Sequence, residues 1–197
     1  MPKAIIMKHL IPSIRINKQE AVCNTRAGLL LHPPFRADTI YRQLQFSYPK
    51  FFKMDPLCRW AFIGAELLCA HGDQAIYKGI APEKIALVLA TANGCMDVDH
   101  SFQESMDQVA SPGLFVYTLP NIMLGELSIR HGFKGEQLCL VQEDFDAAEM
   151  QFAVQDLLLH RGMEACLCGW VNIANDEPEL RLWWAERSSV GSLAFAD

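Results

Sequence analysis

The feature that most constrains this sequence is a set of short, uninterrupted apolar runs alternating with longer stretches of helical period. The runs are IALVLATA at 85–92, QLCLVQ at 137–142 and ACLCGWVNI at 165–173. Each is too short for a typical helix and lacks polar alternation, the pattern of a strand covered on both faces. Between them lie helical signals. In MDPLCRWAFIGAELLCAHG, Leu57, Trp60, Ala61, Gly64, Ala65 and Leu68 recur at helical spacing. Asp55 is placed to cap this helix, Pro56 to open it and Gly72 to end it. NIMLGELSIRHG reads as a helix from Asn121 to Gly132. AAEMQFAVQDLLLHRG follows Asp146 as its cap and closes on His160, Arg161 and Gly162. Its Met150, Ala153, Val154, Leu157 and Leu158 form one wide stripe. Strands alternating with helices from residue 55 onward predict an α/β domain with a mixed, mostly parallel five-stranded sheet flanked by helices.

The remaining segments are less regular. AIIM at 4–7 reads as a short strand. Residues 10–50, with Pro12, Pro33 and Pro34, read as loops with short elements. DVDHSFQESMDQV is polar enough for a surface helix, ASPGLFVYTLP reads as extended, and ELRLWWAER is a last strand after the turn NDEP. Trp183 and Trp184 alternate across that strand, one toward the core and the other toward a helix layer or a partner.

With 197 residues the chain suits a single domain spanning 1–197. A formal charge of −6 and no basic stripe argue against nucleic acid as a partner; an acidic partner would need a local basic patch. The seven cysteines are odd in number and irregularly spaced, mostly within apolar runs, as reduced core thiols of a cytoplasmic protein are. Cys166 and Cys168 lack a second ligand pair, so no metal is expected, and no motif calls for a cofactor. MPKAIIMKHLIPSIRI has no long apolar core, so it does not read as a signal peptide, and no apolar stretch reaches 18 residues, so no membrane span is expected.

From about Phe52 the order of motifs resembles the β-ketoacyl synthases of the thiolase superfamily. FFKMDPLCRWAFIGAELLC is similar to the helix after that family's arginine/methionine/aspartate signature. IALVLATANG is similar to its second core strand and glycine turn. SPGLFVYTLPNIMLGELSIRHGFKGE resembles its stretch from a proline through P-N into a helix, and QLCLVQEDFDAAEMQFAVQDLLLHRGMEACLCGWVNI its nucleophile strand, central helix and next strand. ELRLWWAER resembles the strand that closes the first half of that fold. The match covers residues 50–187, and residues 1–50 match poorly. No single motif is diagnostic; their order carries the resemblance.

Two departures bear on function. In active synthases a cysteine sits at the start of the central helix, where free amides and the helix dipole stabilise a thiolate. Counting back from Gly162 puts Phe145 there, and counting forward from Gly135 puts Asp144 there; neither forms a thioester. Cys139 lies in the preceding strand. Glu143, Asp144 and Asp146 crowd the corner with negative charge, which would repel an oxyanion. The resemblance also implies two catalytic histidines in a second half of the fold. His9, His32, His71, His100, His131 and His160 all fall on segments that do not correspond. His131 and His160 sit at helix C-termini, where a cation is favoured.

Each candidate has two readings. Phe145 gates or fills an acyl pocket, or packs as core. Asp146 is a helix cap, with Glu143 and Asp144 as solvated acids, or the three do acid–base work. Asn93-Gly94-Cys95 is a turn with an inert thiol, or a substrate loop together with Asn121. The stripe on the central helix calls for a cover: a second copy, a full-length synthase, or the first 50 residues. In the family the strand at 137–142 also pairs edge to edge between subunits. The expected function is a non-condensing, synthase-like accessory protein of fatty-acid, polyketide or aryl-polyene-type pigment synthesis. It would form a homo- or hetero-oligomer and act through a full-length ketosynthase or an acyl carrier protein. The alternatives are a thioester hydrolase or decarboxylase using Asp144 or Glu143, and an acyl-binding module without chemistry.

Overall fold

The structure is a computed structural model describing residues 11–25, 31–70, 75–107, 109–174, 177–193 and 195. The strand expected at 4–7, together with His9, His71 and Gly72, lies outside the described residues. Twelve regular elements follow in order: β1 (Ser13–Ile16), β2 (Ala21–Cys23), α1 (Ala37–Gln43), α2 (Pro56–Cys69), β3 (Ile85–Thr91), α3 (Met96–Ser105), α4 (Pro112–Phe115), α5 (Ile122–His131), β4 (Gln137–Val141), α6 (Ala147–Leu159), β5 (Ala165–Ala174) and β6 (Glu177–Glu186), joined in places by short 3-10 turns.

The strands form one mixed sheet in the order β2-β1-β6-β5-β3-β4. β3 pairs in parallel with β4 and β5, whereas β5–β6, β6–β1 and β1–β2 are antiparallel. β1, β3, β4 and β5 therefore run one way, and β6 and β2 the other. The mixed sheet agrees with expectation, with three antiparallel pairings to two parallel ones, and four of its six strands were expected; β1 and β2 lie in the stretch read as loops with short elements. β1 and β2 form a hairpin because Asn17 turns the chain: its Oδ1 accepts from the amides of Gln19 at 2.8 Å and Glu20 at 3.0 Å. The segment 110–120, expected to be extended, instead forms α4 and a 3-10 turn at Val116–Thr118. Ser111 Oγ accepts from the Leu114 amide at 3.3 Å with Pro112 in the first helical position, a helix start that the prolines disguise.

Both faces of the sheet are covered. On one, α1, α2 and α5 pack over Ile14, Leu87, Leu89, Leu167, Leu182 and Trp184. On the other, α6 and the C-terminal segment pack over Val88, Ala90, Cys166, Cys168, Trp170 and Trp183. Trp183 and Trp184 thus face opposite layers, and both are buried by this chain itself. β5 and β6 pair along ten residues with Gly169 at φ 144°; a Cβ there would sit 2.0 Å from the Arg181 carbonyl oxygen, so only glycine fits.

The α2–α5 layer carries a buried polar cluster. Glu66 receives Arg130 bidentately, with Nε–Oε1 at 2.5 Å and Nη2–Oε2 at 3.1 Å. His131, the last residue of α5, was expected to favour charge; burial instead pushes it down to about 4, outweighing Glu66 at 3.7 Å, so it is neutral. Its Nδ1 lies 3.2 Å from the Tyr77 hydroxyl.

Candidate functional site

The site that the sequence singles out lies where β3 and β4 end. Thr91 of β3 is in register with Val141 of β4, and the Gln142 amide donates to the Thr91 carbonyl at 3.0 Å. The loop 142–146 and the turn 91–95 therefore leave the sheet side by side, at the carboxyl ends of parallel strands, where open α/β sheets place ligand crevices.

Asp146 is the N-cap of α6. Its Oδ1 accepts from the amides of Ala148 at 2.8 Å and Glu149 at 3.0 Å, which is the structural reading of this residue. The helix start is thus already supplied with an anionic acceptor. Glu143 and Asp144 are exposed in the loop before it. Glu149, one turn in, receives the side-chain amide of Gln142.

Phe145 is half-buried and turned onto the sheet. Its ring stacks on Trp183 at 5.6 Å and 18°, meets Trp170 edge-on at 6.1 Å, and lies beneath the Arg181 guanidinium at 5.5 Å. Phe195 completes the cluster against Trp183 at 5.1 Å. Offset aromatic pairs and a cation over a ring face are each favourable beyond simple burial. The corner is therefore filled by Phe145 rather than left as an open pocket. Trp170, Trp183 and Arg181 were not singled out as its partners from sequence. The available signal was the register of β6, which sends Arg181 and Trp183 to the same face.

The turn 91–95 is held by Asn172 of β5. Its Oδ1 accepts from Thr91 Oγ1 at 3.3 Å, from the Ala92 amide at 3.3 Å and from the Asn93 amide at 2.9 Å. Asn93 Nδ2 donates to the Ile173 carbonyl at 2.7 Å, and the Gly94 amide to Thr91 Oγ1 at 3.2 Å. The visible sequence signal was a lone Asn in the apolar run at 165–173. Gly94 has φ 56°, and a Cβ on it would lie 3.6 Å from Pro120, so the turn abuts the residue preceding Asn121. Asn121 is exposed at the start of α5, and its side chain makes no capping bond.

No thiol here is activated. Cys95 is buried and pushed up to about 11 by desolvation and by Asp99. Cys139, in β4, is also raised by burial. Among the described residues no group of histidine, cysteine or carboxylate side chains is arranged to hold a metal ion. Among the described residues no helix is long and apolar enough to cross a membrane.

β4 is a sheet edge. Among the described residues it pairs with β3 alone, and Leu138 and Val141 on it are 40% and 66% exposed. Beside it, Phe152 of α6 is 73% exposed and lines a groove of about 220 Å³ with Leu138, Leu140 and Leu157. α6 buries Met150, Ala153, Val154, Leu157 and Leu158 against the sheet, while Phe152 and Leu159 face outward.

No protein-family model matches this chain, and no curated protein matches it. Solved structures do. The ishigamide ketosynthase/chain length factor aligns with TM-score 0.63 and 18% identity, over 78% of this chain and 48% of that one. The type II polyketide synthase assembly AntDE:AntF, an acyl-carrier protein in complex with its ketosynthase bound to the hexaketide, aligns with TM-score 0.64 and 12% identity, over 92% and 63%. The ketosynthase ApeO in complex with its chain length factor ApeC, from Xenorhabdus doucetiae, aligns with TM-score 0.55 and 16% identity, over 72% and 61%. This chain therefore shares the fold of part of those chains, and spans about half to two thirds of their length.

Proposed function

We propose that this protein is a synthase-like accessory subunit of an acyl-chain assembly line, of fatty-acid, polyketide or aryl-polyene type, and that it does not condense acyl groups itself. The observation that carries this reading is the aromatic plug at the start of α6. Where an active synthase presents a thiolate to free helix amides, Phe145 is stacked on Trp183, and Asp146 accepts the first amides. The same loop supplies exposed carboxylates, which disfavour an oxyanion.

The partner in this reading is a ketosynthase-type subunit seated on the β4 edge and the outer face of α6. A strand edge unpaired among the described residues, with Val141 on one side and Leu138 continuous with Phe152 on the other, is a surface that a second chain would complete through backbone pairing and apolar burial. The solved relatives include a ketosynthase with its chain length factor and one with an acyl-carrier protein, so both kinds of partner belong in the test. Copurification of the tagged chain with the ketosynthase and the carrier protein encoded beside it is expected to recover a stoichiometric complex. Val141→Lys is expected to abolish the ketosynthase contact. No complex with either protein, or condensation activity by the chain alone, would refute the reading.

A further inference from the structure

A second cavity lies away from the α6 corner. It is a groove of about 680 Å³ between the start of α2, with the 3-10 turn Pro49–Lys53 before it, and the α3–α4 pair. That volume is in the range of small-molecule sites. Its floor and far wall are apolar: Met54, Val98, Leu114, Val116 and Tyr117. Val116 and the neighbouring Phe115 are exposed, and Phe115 leans on Phe102 at 5.5 Å, so the wall presents apolar surface to water.

The charges divide unevenly around it. Lys50 is already committed to the buried Glu126 at 2.6 Å, and the Tyr117 hydroxyl donates to the same Oε1 at 3.1 Å; these contacts brace the wall. Asp55 is spent on capping α2, accepting from Leu57 at 3.0 Å and Cys58 at 3.2 Å. Asp97 stands on the α3 side. At the α2 mouth, Lys53 is exposed, and Arg59 donates Nη2 to the Phe52 carbonyl at 3.0 Å while its Nε is buried without a hydrogen-bond partner. The guanidinium lies over the Phe51 ring at 5.9 Å, and with Lys53 it makes this end of the groove cationic, which suits an anionic acceptor.

We propose that this groove binds a single-chain amphiphile with a carboxylate head, the head at Lys53 and Arg59 and the chain along Met54, Leu114 and Val116. An apolar trough closed at one mouth by two cations suits a fatty carboxylate. A neutral lipid would leave both cations without a counter-charge, and a short acid would not fill the trough. The proposal does not depend on the partner reading above, since the groove lies apart from the β4 edge.

Calorimetric titration of the full chain with palmitate, kept below its micelle concentration, tests this. One palmitate per chain is expected. Hexadecanol is expected to bind about fivefold more weakly or worse, as loss of an exposed ion pair allows. Val116→Asp, at an exposed position, is expected to weaken palmitate about tenfold, as charge placed against the chain costs transfer energy. Lys53→Glu is expected to weaken it about fivefold. Far-UV circular dichroism of both variants should match the parent. No palmitate binding, binding indifferent to both variants, or hexadecanol bound as tightly as palmitate would overturn the proposal. So would an acidic amphipathic peptide that binds, and is lost in both variants, where palmitate does not.

Discussion

α2 and α6 are both strongly apolar helices packed on the same sheet from opposite sides, yet they end up differently. Twelve of the fourteen residues of α2 are buried, because β1, β6, α1 and α5 close around it. Of the thirteen residues of α6, five are buried, against β3, β5 and the C-terminal segment, and Phe152 and Leu159 are left in water. The difference lies in the number of neighbours the chain provides rather than in the helices themselves. Among the described residues, α2 is a finished core element, whereas α6 keeps an outward apolar flank. The aromatic plug at the α6 start fits that division, since it closes the corner chemically while the outer face stays open for contact.

The largest expected effect falls on the finished side. Phe62, fully buried within the rings of Tyr41, Phe46, Tyr48 and Phe51, should cost about 3–5 kcal/mol when changed to alanine, read as a lowered urea midpoint. A loss under 1 kcal/mol would mean that this layer is far looser than described.

Next is the pH dependence of the same layer. Burial holds His131 near 4 in the folded chain against 6.5 ordinarily, so between those values the unfolded chain binds a proton that the folded chain does not. Its contribution is complete above about 6.5 and is lost as pH falls toward 4, by at most about 3 kcal/mol. Glu66 and Arg130 face it with opposite signs, and Tyr77 and Phe133 flank it. His131→Gln should flatten stability over that window; an unchanged slope would place the effect in other groups.

On the α6 side the effects shrink. Phe145→Ala should cost about 1–2 kcal/mol and alter Trp183 fluorescence, because it removes a stacked pair and the ring under Arg181. A cost within about 0.5 kcal/mol would show that the plug is ornamental to the fold. The smallest effect on the chain alone is expected from Phe152→Asp, within about 0.5 kcal/mol, though it should weaken any complex formed through that face. A large loss of stability in the isolated chain would break the comparison, since α6 would then be closed by its own chain.

Some of this was written in the sequence. The apolar runs at 85–92, 137–142 and 165–173 became β3, β4 and β5, and the caps Asp55 and Asp146 work as their positions imply, because strand burial and helix capping are local patterns of side-chain type. The lack of a thiol at the α6 start was also legible, since it depends on residue identity alone. Other features were decided only by contacts between distant segments. The strands β1 and β2 needed β6 as a partner for β1. The neutral state of His131 contradicts its place at a helix end because desolvation by α2 and Tyr77 outweighs the dipole. Phe145 is the clearest case: the sequence places an aromatic residue just before the α6 cap, but only the register of β6 against β5 brings Trp183 and Arg181 to meet it and fills that corner.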